Sequence, residues 1–170
     1  MTKDEFLIGM EPWSSHLPIL WEALNATEGE VIELGMGDGS TPKLDIACYG
    51  RQLFSYENNL EWYRKYEKYR SETHAIEFTQ NWMEPIERHR YSIGVLFSDE
   101  APGEYRKYNI AMFCNTAKVI VAHDAEPEAA GGYRYDLVEP LFRYKKRFEH
   151  PSGIDTAAFS NFIDVTKWEI

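Results

Sequence analysis

Val31-Ile32-Glu33-Leu34-Gly35-Met36-Gly37-Asp38-Gly39-Ser40-Thr41 is the stretch from which the rest of the chain can be read. An apolar run meets an acidic residue, then glycines at alternate positions, then small hydroxyl residues that can open a helix. The glycines let the backbone turn without Cβ clashes, so main-chain N–H groups can come close to a ligand. A strand before such a turn and a helix after it make the first β-α unit of a doubly wound sheet, in which nucleotide-like ligands bind at the strand ends. The spacing is Gly-x-Gly-x-Gly, and Ser40 stands where a dinucleotide fingerprint has its third glycine, which argues against NAD.

Arg51 to Glu57 reads as a second strand that ends in a carboxylate. Glu57 follows the glycines by about twenty residues, where a βαβ unit delivers an acidic group to the hydroxyls of a ribose. A carboxylate suits a vicinal diol because it accepts two hydrogen bonds. The alternative role for Glu57 is capping the helix that starts near Asn58. Taken in register, the two motifs point to a nucleoside-type ligand.

Further strands are predicted at His74–Thr79, Ile93–Ser98 and Lys118–Ala122, with helices near Leu17–Leu24, Ser40–Tyr49, Asn59–Tyr69, up to about Tyr91, and Glu104–Cys114. Leu60, Tyr63, Tyr66 and Tyr69 recur at helical spacing and read as core packing. Ala125 to Gly132 reads as a loop, with a helix resuming at about Tyr133 and ending at Pro140. Tyr144–Glu149 and Ala157–Ile163 close the chain as a hairpin. The C-terminal ends of the strands carry Glu33, Glu57, Asn81, Asp99 and His123-Asp124, the places where a doubly wound sheet gathers its functional groups.

The 170 residues suit one domain spanning 1–170, with no apolar run near the length of a membrane span. The opening Met1-Thr-Lys-Asp-Glu has no signal-peptide pattern, and Cys48 and Cys114 lack metal-ligand spacing, so reduced thiols in a cytoplasmic protein are expected. A net charge of −10 disfavours nucleic acid as a substrate. Arg143, Lys145, Lys146 and Arg147 read as solvated charge on an edge strand. Oligomeric state is not legible.

The glycine stretch resembles the first motif of class I S-adenosylmethionine-dependent methyltransferases, acid-x-Gly-x-Gly-x-Gly, and the order of elements extends that resemblance over nearly the whole chain. It implies an α/β fold: a doubly wound, mixed seven-stranded sheet with helices on both faces and a C-terminal antiparallel hairpin. It implies S-adenosylmethionine as cofactor. Glu33 and the amides of Gly35, Gly37, Gly39 and Ser40 would lie at the methionine end, Glu57 on the ribose, and Asn81 with Trp82 at the adenine. The function implied is methyl transfer, to oxygen of a small-molecule or sugar-like acceptor. The rivals are a nucleoside-binding protein of the same fold without transfer and an NAD-dependent oxidoreductase.

A sulfonium methyl is already electrophilic, so the protein must mainly align a nucleophile and take its proton. His123 is the natural base by residue type, with Asp99 or Asp124 orienting it or serving instead. Asp99 and Asp124 also stand where catechol-type O-methyltransferases place their Mg²⁺ ligands, and two carboxylates there could hold a hard cation. This chain departs from that pattern: Glu100-Ala-Pro-Gly follows Asp99 where that family has a nearby lysine, and the pair after strand five is His-Asp instead of Asp-Asn. Glu126 to Tyr135 would lie over the site, either as a flap made mobile by Gly131 and Gly132 with Tyr133, Arg134 and Tyr135 facing a ligand, or with the same tyrosines packed on the sheet.

Overall fold

The computed structural model describes residues 1–11, 13–89 and 93–170. Its strands are β1 (Glu30–Leu34), β2 (Leu53–Glu57), β3 (His74–Phe78), β4 (Ile93–Ser98), β5 (Ala117–His123), β6 (Tyr144–Phe148) and β7 (Thr156–Ser160). They form one seven-stranded sheet in the order β3-β2-β1-β4-β5-β7-β6. The first five strands are parallel, while β7 runs antiparallel to both β5 and β6. The order reverses at β1, so the ends of β1, β2 and β4 bound a crevice where such sheets bind ligands.

The helices are α1 (Lys3–Leu7), α2 (Leu17–Ala26), α3 (Thr41–Ala47), α4 (Leu60–Tyr66), α5 (Met83–Arg88), α6 (Arg106–Phe113) and α7 (Pro127–Tyr133). Alternation along the central strands divides the core in two. Ile32, Leu34, Leu96 and Ile120 pack on one face with Ile110 and Phe113 of α6. Val31, Val95, Phe97 and Val121 pack on the other with Leu20 of α2 and Leu44 of α3. Every residue of β4 is buried, as expected of a parallel strand covered on both faces. No described helix is long and apolar enough to cross a membrane.

One local expectation changes, one falls outside the described residues, and one element is new. The expected helix end at Tyr91 lies outside the described residues; α5 is described over Met83–Arg88. Ala125 to Gly132 is not a loop, since α7 occupies Pro127–Tyr133 and is followed by single 3-10 turns at Tyr135–Leu137 and Glu139–Leu141. An unanticipated α1 begins with a reciprocal cap: the Thr2 hydroxyl accepts from the Glu5 amide, and the Thr2 amide donates to the Glu5 carboxylate. It places Phe6 in the core against Trp21, ring centroids 5.4 Å apart. The basic residues of β6 do lie on an edge strand, with Lys145 and Arg147 exposed.

Candidate functional site

The three glycines after β1 perform three different tasks. Gly35 has φ +85°, and a Cβ there would lie 2.6 Å from the Asp99 carbonyl oxygen, so it is a glycine because the β4 exit packs on it. Its amide donates to the Tyr56 carbonyl at 2.9 Å and is not free for a ligand, contrary to expectation. A Cβ at Gly39 would lie 2.8 Å from Ser14 Oγ and 3.3 Å from His16 Cε1, so the segment before α2 demands that glycine. At Gly37 a Cβ would meet only Ser40 Oγ, at 3.6 Å, an ordinary contact. The described protein does not itself require Gly37 to be a glycine.

Glu33 and Ser40 lie beneath this loop, not in front of it. Glu33 is fully buried, and its carboxylate accepts from Ser40 Oγ at 2.5 Å and from Thr41 Oγ1 at 3.0 Å. Burial pushes its carboxyl up to about 7 against the pull of the Ser40, Ser55 and Thr41 hydroxyls. Direct contact with a methionine end is therefore corrected for both residues. They tie the loop to the strand from below.

Glu57 lies at the crevice. Its carboxylate accepts the amides of Met36 (2.9 Å), Asn58 (2.8 Å) and Asn59 (2.7 Å), which leaves one of its roughly four lone-pair positions open. Burial nonetheless raises its pKa above the ordinary glutamate value. Glu57 lines a cleft of about 340 Å³ together with Gly35, Met36, Trp62, Asp99 and Pro102. That volume is at the small end for ligand sites.

Asn81 and Trp82 do not line this cleft. Asn81 Oδ1 accepts the Met83 amide at 3.0 Å and so caps α5, while Trp82 is a core residue whose Nε1 donates to the Ala101 carbonyl at 3.3 Å. The aromatic that does face the cleft is Trp62, 39% exposed and stacked on Tyr66 at 5.8 Å. Its phase did not single it out, because Trp62 and Tyr66 stand four residues apart and share a face of α4.

Behind Asp99 is a buried polar cluster. Asp99 Oδ1 faces His123 Nδ1 at 3.2 Å and accepts from Arg106 Nη2 at 2.9 Å, while Asp124 Oδ2 accepts from Arg106 Nη1 at 3.1 Å. His123 Nε2 faces Ser15 Oγ at 3.3 Å. Burial alone would lower the His123 pKa, but the Asp99 hydrogen bond and the charges of Asp99 and Asp124 outweigh it and raise it. Burial would raise the Asp99 pKa, and the His123 bond with the Arg106 charge outweighs it and lowers it. With both ring nitrogens engaged and the ring 6% exposed, His123 is not placed as a base facing the cleft. Asp99 lines it, and its Oδ2 takes no hydrogen bond among the described residues.

Arg106 was not foreseen, although a basic residue opening a helix runs against the helix dipole and signals some other reason for its position. Asp99, His123 and Asp124 do have ligand atoms within 4.8 Å of one another. The donor set nevertheless does not fit Mg²⁺, a hard ion that wants oxygen ligands and several waters. The guanidinium already bridges the two carboxylates, and the third member is an imidazole. The expected magnesium site is corrected on that ground.

Of the two arrangements open to Glu126–Tyr135, packing holds for Tyr135, which lies in the core against Phe159. Tyr133 of α7 lies over the Arg106 guanidinium at 4.4 Å and fills the space a side chain at Gly103 would need. Tyr135 is buried and donates to the His123 carbonyl at 2.9 Å, whereas Arg134 turns away to Asp136. His16, also unforeseen, is 3% exposed, edge-on to His123 with centroids 4.6 Å apart. Neither of its ring nitrogens has a partner among the described residues. Burial pushes its pKa down to about 3, so the ring is neutral.

No family model matches the sequence, and no curated protein sequence matches it. Solved structures do match. A Klebsiella pneumoniae protein described as an O-methyltransferase is 12% identical at TM-score 0.67, over 94% of this chain and 89% of its own. The N-terminal domain of human METTL16, solved with SAH, is 12% identical at TM-score 0.65, over 92% of this chain and 73% of its own. The O-methyltransferase TomG from Streptomyces achromogenes, involved in tomaymycin synthesis and solved with SAM, is 14% identical at TM-score 0.62, over 91% and 82%. At such identities the likeness establishes the fold: this chain has the fold of the class I S-adenosylmethionine-dependent methyltransferases.

Proposed function

On that fold, we propose that the chain is an S-adenosylmethionine-dependent methyltransferase acting on oxygen of a small-molecule or sugar-like acceptor. The observation that carries the reading is the cleft where β1, β2 and β4 end, with Glu57 at its edge and Asp99 in its wall. Two further features fit the cofactor. Gly37 leaves space that the protein does not fill, and His16 beside the glycine loop holds an unused donor and an unused acceptor.

In this reading Glu57 accepts a hydrogen bond from a ribose hydroxyl with its remaining lone pair, and Trp62 packs on the adenine face. His16, neutral at working pH, offers one N–H and one lone pair to the amino-acid end. Bound S-adenosylmethionine supplies an electrophilic methyl group on a sulfonium. Asp99 aligns the acceptor hydroxyl and takes its proton, and His123 and Arg106 hold that carboxylate in its ionised form from behind. This transfers the base role from His123 to Asp99, with Asp124 holding Arg106 in place. The acidic surface implied by a net charge of −10 favours a small acceptor over nucleic acid.

Calorimetry tests the cofactor half of the proposal. Wild-type protein should bind S-adenosylmethionine, and Glu57→Ala should weaken that binding by about 1–3 kcal/mol through loss of a charge-assisted hydrogen bond. Equal affinity in the two proteins would remove the case for this cleft. A methylated product from an acceptor screen separates a transferase from a binding protein of the same fold. With an acceptor in hand, Asp99→Asn should lower kcat about 10²-fold or more with cofactor affinity nearly unchanged. An undiminished kcat would return Asp99 to a structural role.

A further inference from the structure

We infer that Arg106 is an internal cation occupying the place of a divalent ion, so that removing its guanidinium turns Asp99, His123 and Asp124 into a transition-metal site. The inference does not rest on the cofactor reading, because its test measures metal binding.

The three residues have the spacing of a site for one ion, and among the described residues they are the only such group. One imidazole and two carboxylates are a donor set that first-row transition metals accept. What distinguishes this cluster from a metal centre is the group lodged in it. Arg106 is 4% exposed. Its Nε donates to the Glu100 carbonyl at 3.0 Å, its Nη1 to the His123 carbonyl at 3.0 Å and to Asp124 Oδ2 at 3.1 Å, and its Nη2 to Asp99 Oδ1 at 2.9 Å. The Tyr133 ring covers one face of the guanidinium. The planar fork thus satisfies both carboxylates at once and fixes their separation, a task for which arginine is well suited.

Asp99 and Asp124 face Arg106 and His123, and the fork's carbonyl acceptors come from β5 and the β4 exit. A dication entering this arrangement would take both carboxylates from the guanidinium and leave a buried charge without its counter-charges, a penalty that opposes binding. Local helix preference does not explain the residue either, because the first position of α6 is a poor one for a positive charge. Arg106 stays there because two carboxylates converge on it.

The test uses Mn²⁺, followed by the electron paramagnetic resonance of the free ion and by thermal melting, on wild type, Arg106→Ala, Arg106→Gln and Arg106→Ala/Asp99→Ala. Wild type should show no saturable binding in the micromolar range. Each single variant should bind one equivalent at least tenfold more tightly than wild type, and Mn²⁺ should raise its melting temperature. The double variant should lose both effects. Equal binding by wild type and the single variants would overturn the inference, since the guanidinium would then not be holding the ion's place. A folded single variant that gains no Mn²⁺ binding overturns it too. A variant that folds only when Mn²⁺ is present supports it, and one that folds neither with nor without Mn²⁺ counts against it, because the ion then cannot replace the guanidinium.

Discussion

Gly37→Val is expected to lower S-adenosylmethionine affinity by more than about a hundredfold while leaving thermal stability close to wild type, and Gly35→Ala to lower thermal stability. At Gly37 the Cβ, the first of the added atoms, meets nothing in the protein closer than Ser40 Oγ at 3.6 Å, an ordinary contact. They project into space that a ligand of this loop would need, and a hundredfold loss is about 2.7 kcal/mol, within reach of a steric block. At Gly35 the φ of +85° strains any L residue by about 1 kcal/mol, and the new Cβ lies 2.6 Å from the Asp99 carbonyl oxygen. Moving that backbone adds about 1–3 kcal/mol, which for a chain of this size lowers the melting temperature by about 5–15 °C. Calorimetry and thermal melting of the two variants check both halves. A Gly37→Val protein that binds like wild type, or a Gly35→Ala protein that melts like it, would break the assignment of separate tasks to the two glycines.

The second large effect concerns Glu33 and pH. Its carboxyl is raised from the ordinary 4.5 to about 7 by burial, so the folded chain holds this proton more tightly than the unfolded chain does. The stability it contributes is therefore fully present below about pH 4.5 and is lost as pH rises through 7. A shift of this size corresponds to about 3 kcal/mol, and relaxation around the group reduces the expectation to about 2. Glu33→Gln stays neutral throughout and can still accept from Ser40 and Thr41. Relative to wild type, the variant should gain about 2 kcal/mol of stability between pH 5 and pH 8, measured by urea unfolding at the two pH values. Other titrating groups are common to both proteins and cancel in the comparison. Parallel pH profiles would mean that Glu33 is ionised in its pocket at both pH values.

The sheet was legible because its signals are local. Apolar runs bounded by Gly, Pro and polar clusters located β1 to β5, and the turn at Pro151-Ser-Gly located the hairpin. Glu57 was legible for the same reason, being a fixed distance from the glycines. The errors arise where the partner is distant in sequence. Asn81 and Trp82 stand at the right strand end, but one caps its own helix and the other is drawn into the core. His123 looks like a base until Ser15, 108 residues away, is found at its second nitrogen. Arg106 acquires its meaning only when β4 and β5 lie side by side. Gly131 and Gly132 suggested a loop, yet α7 forms because Pro127 and Glu128 suit a first turn and Tyr133 docks against Gly103 and Arg106. The Thr2–Glu5 capping box has a local signal of its own, a threonine followed three residues later by a glutamate.

The position of β7 between β5 and β6 sets a timetable for synthesis. Among the described strands β6 pairs only with β7, which the ribosome makes after it. Until residues 156–160 emerge, the parallel sheet ends at an open β5 edge, and β6 waits as an extended segment without a neighbour. Unpaired strands of that kind recruit other chains. The sequence of β6, Tyr-Lys-Lys-Arg-Phe, carries three positive charges in five residues, and mutual repulsion discourages two nascent copies from pairing during that interval. Lys145 and Arg147 remain exposed at the sheet's edge once the chain is complete, so they guard the strand both before and after its partner arrives, while Lys146 turns to the Trp168 carbonyl.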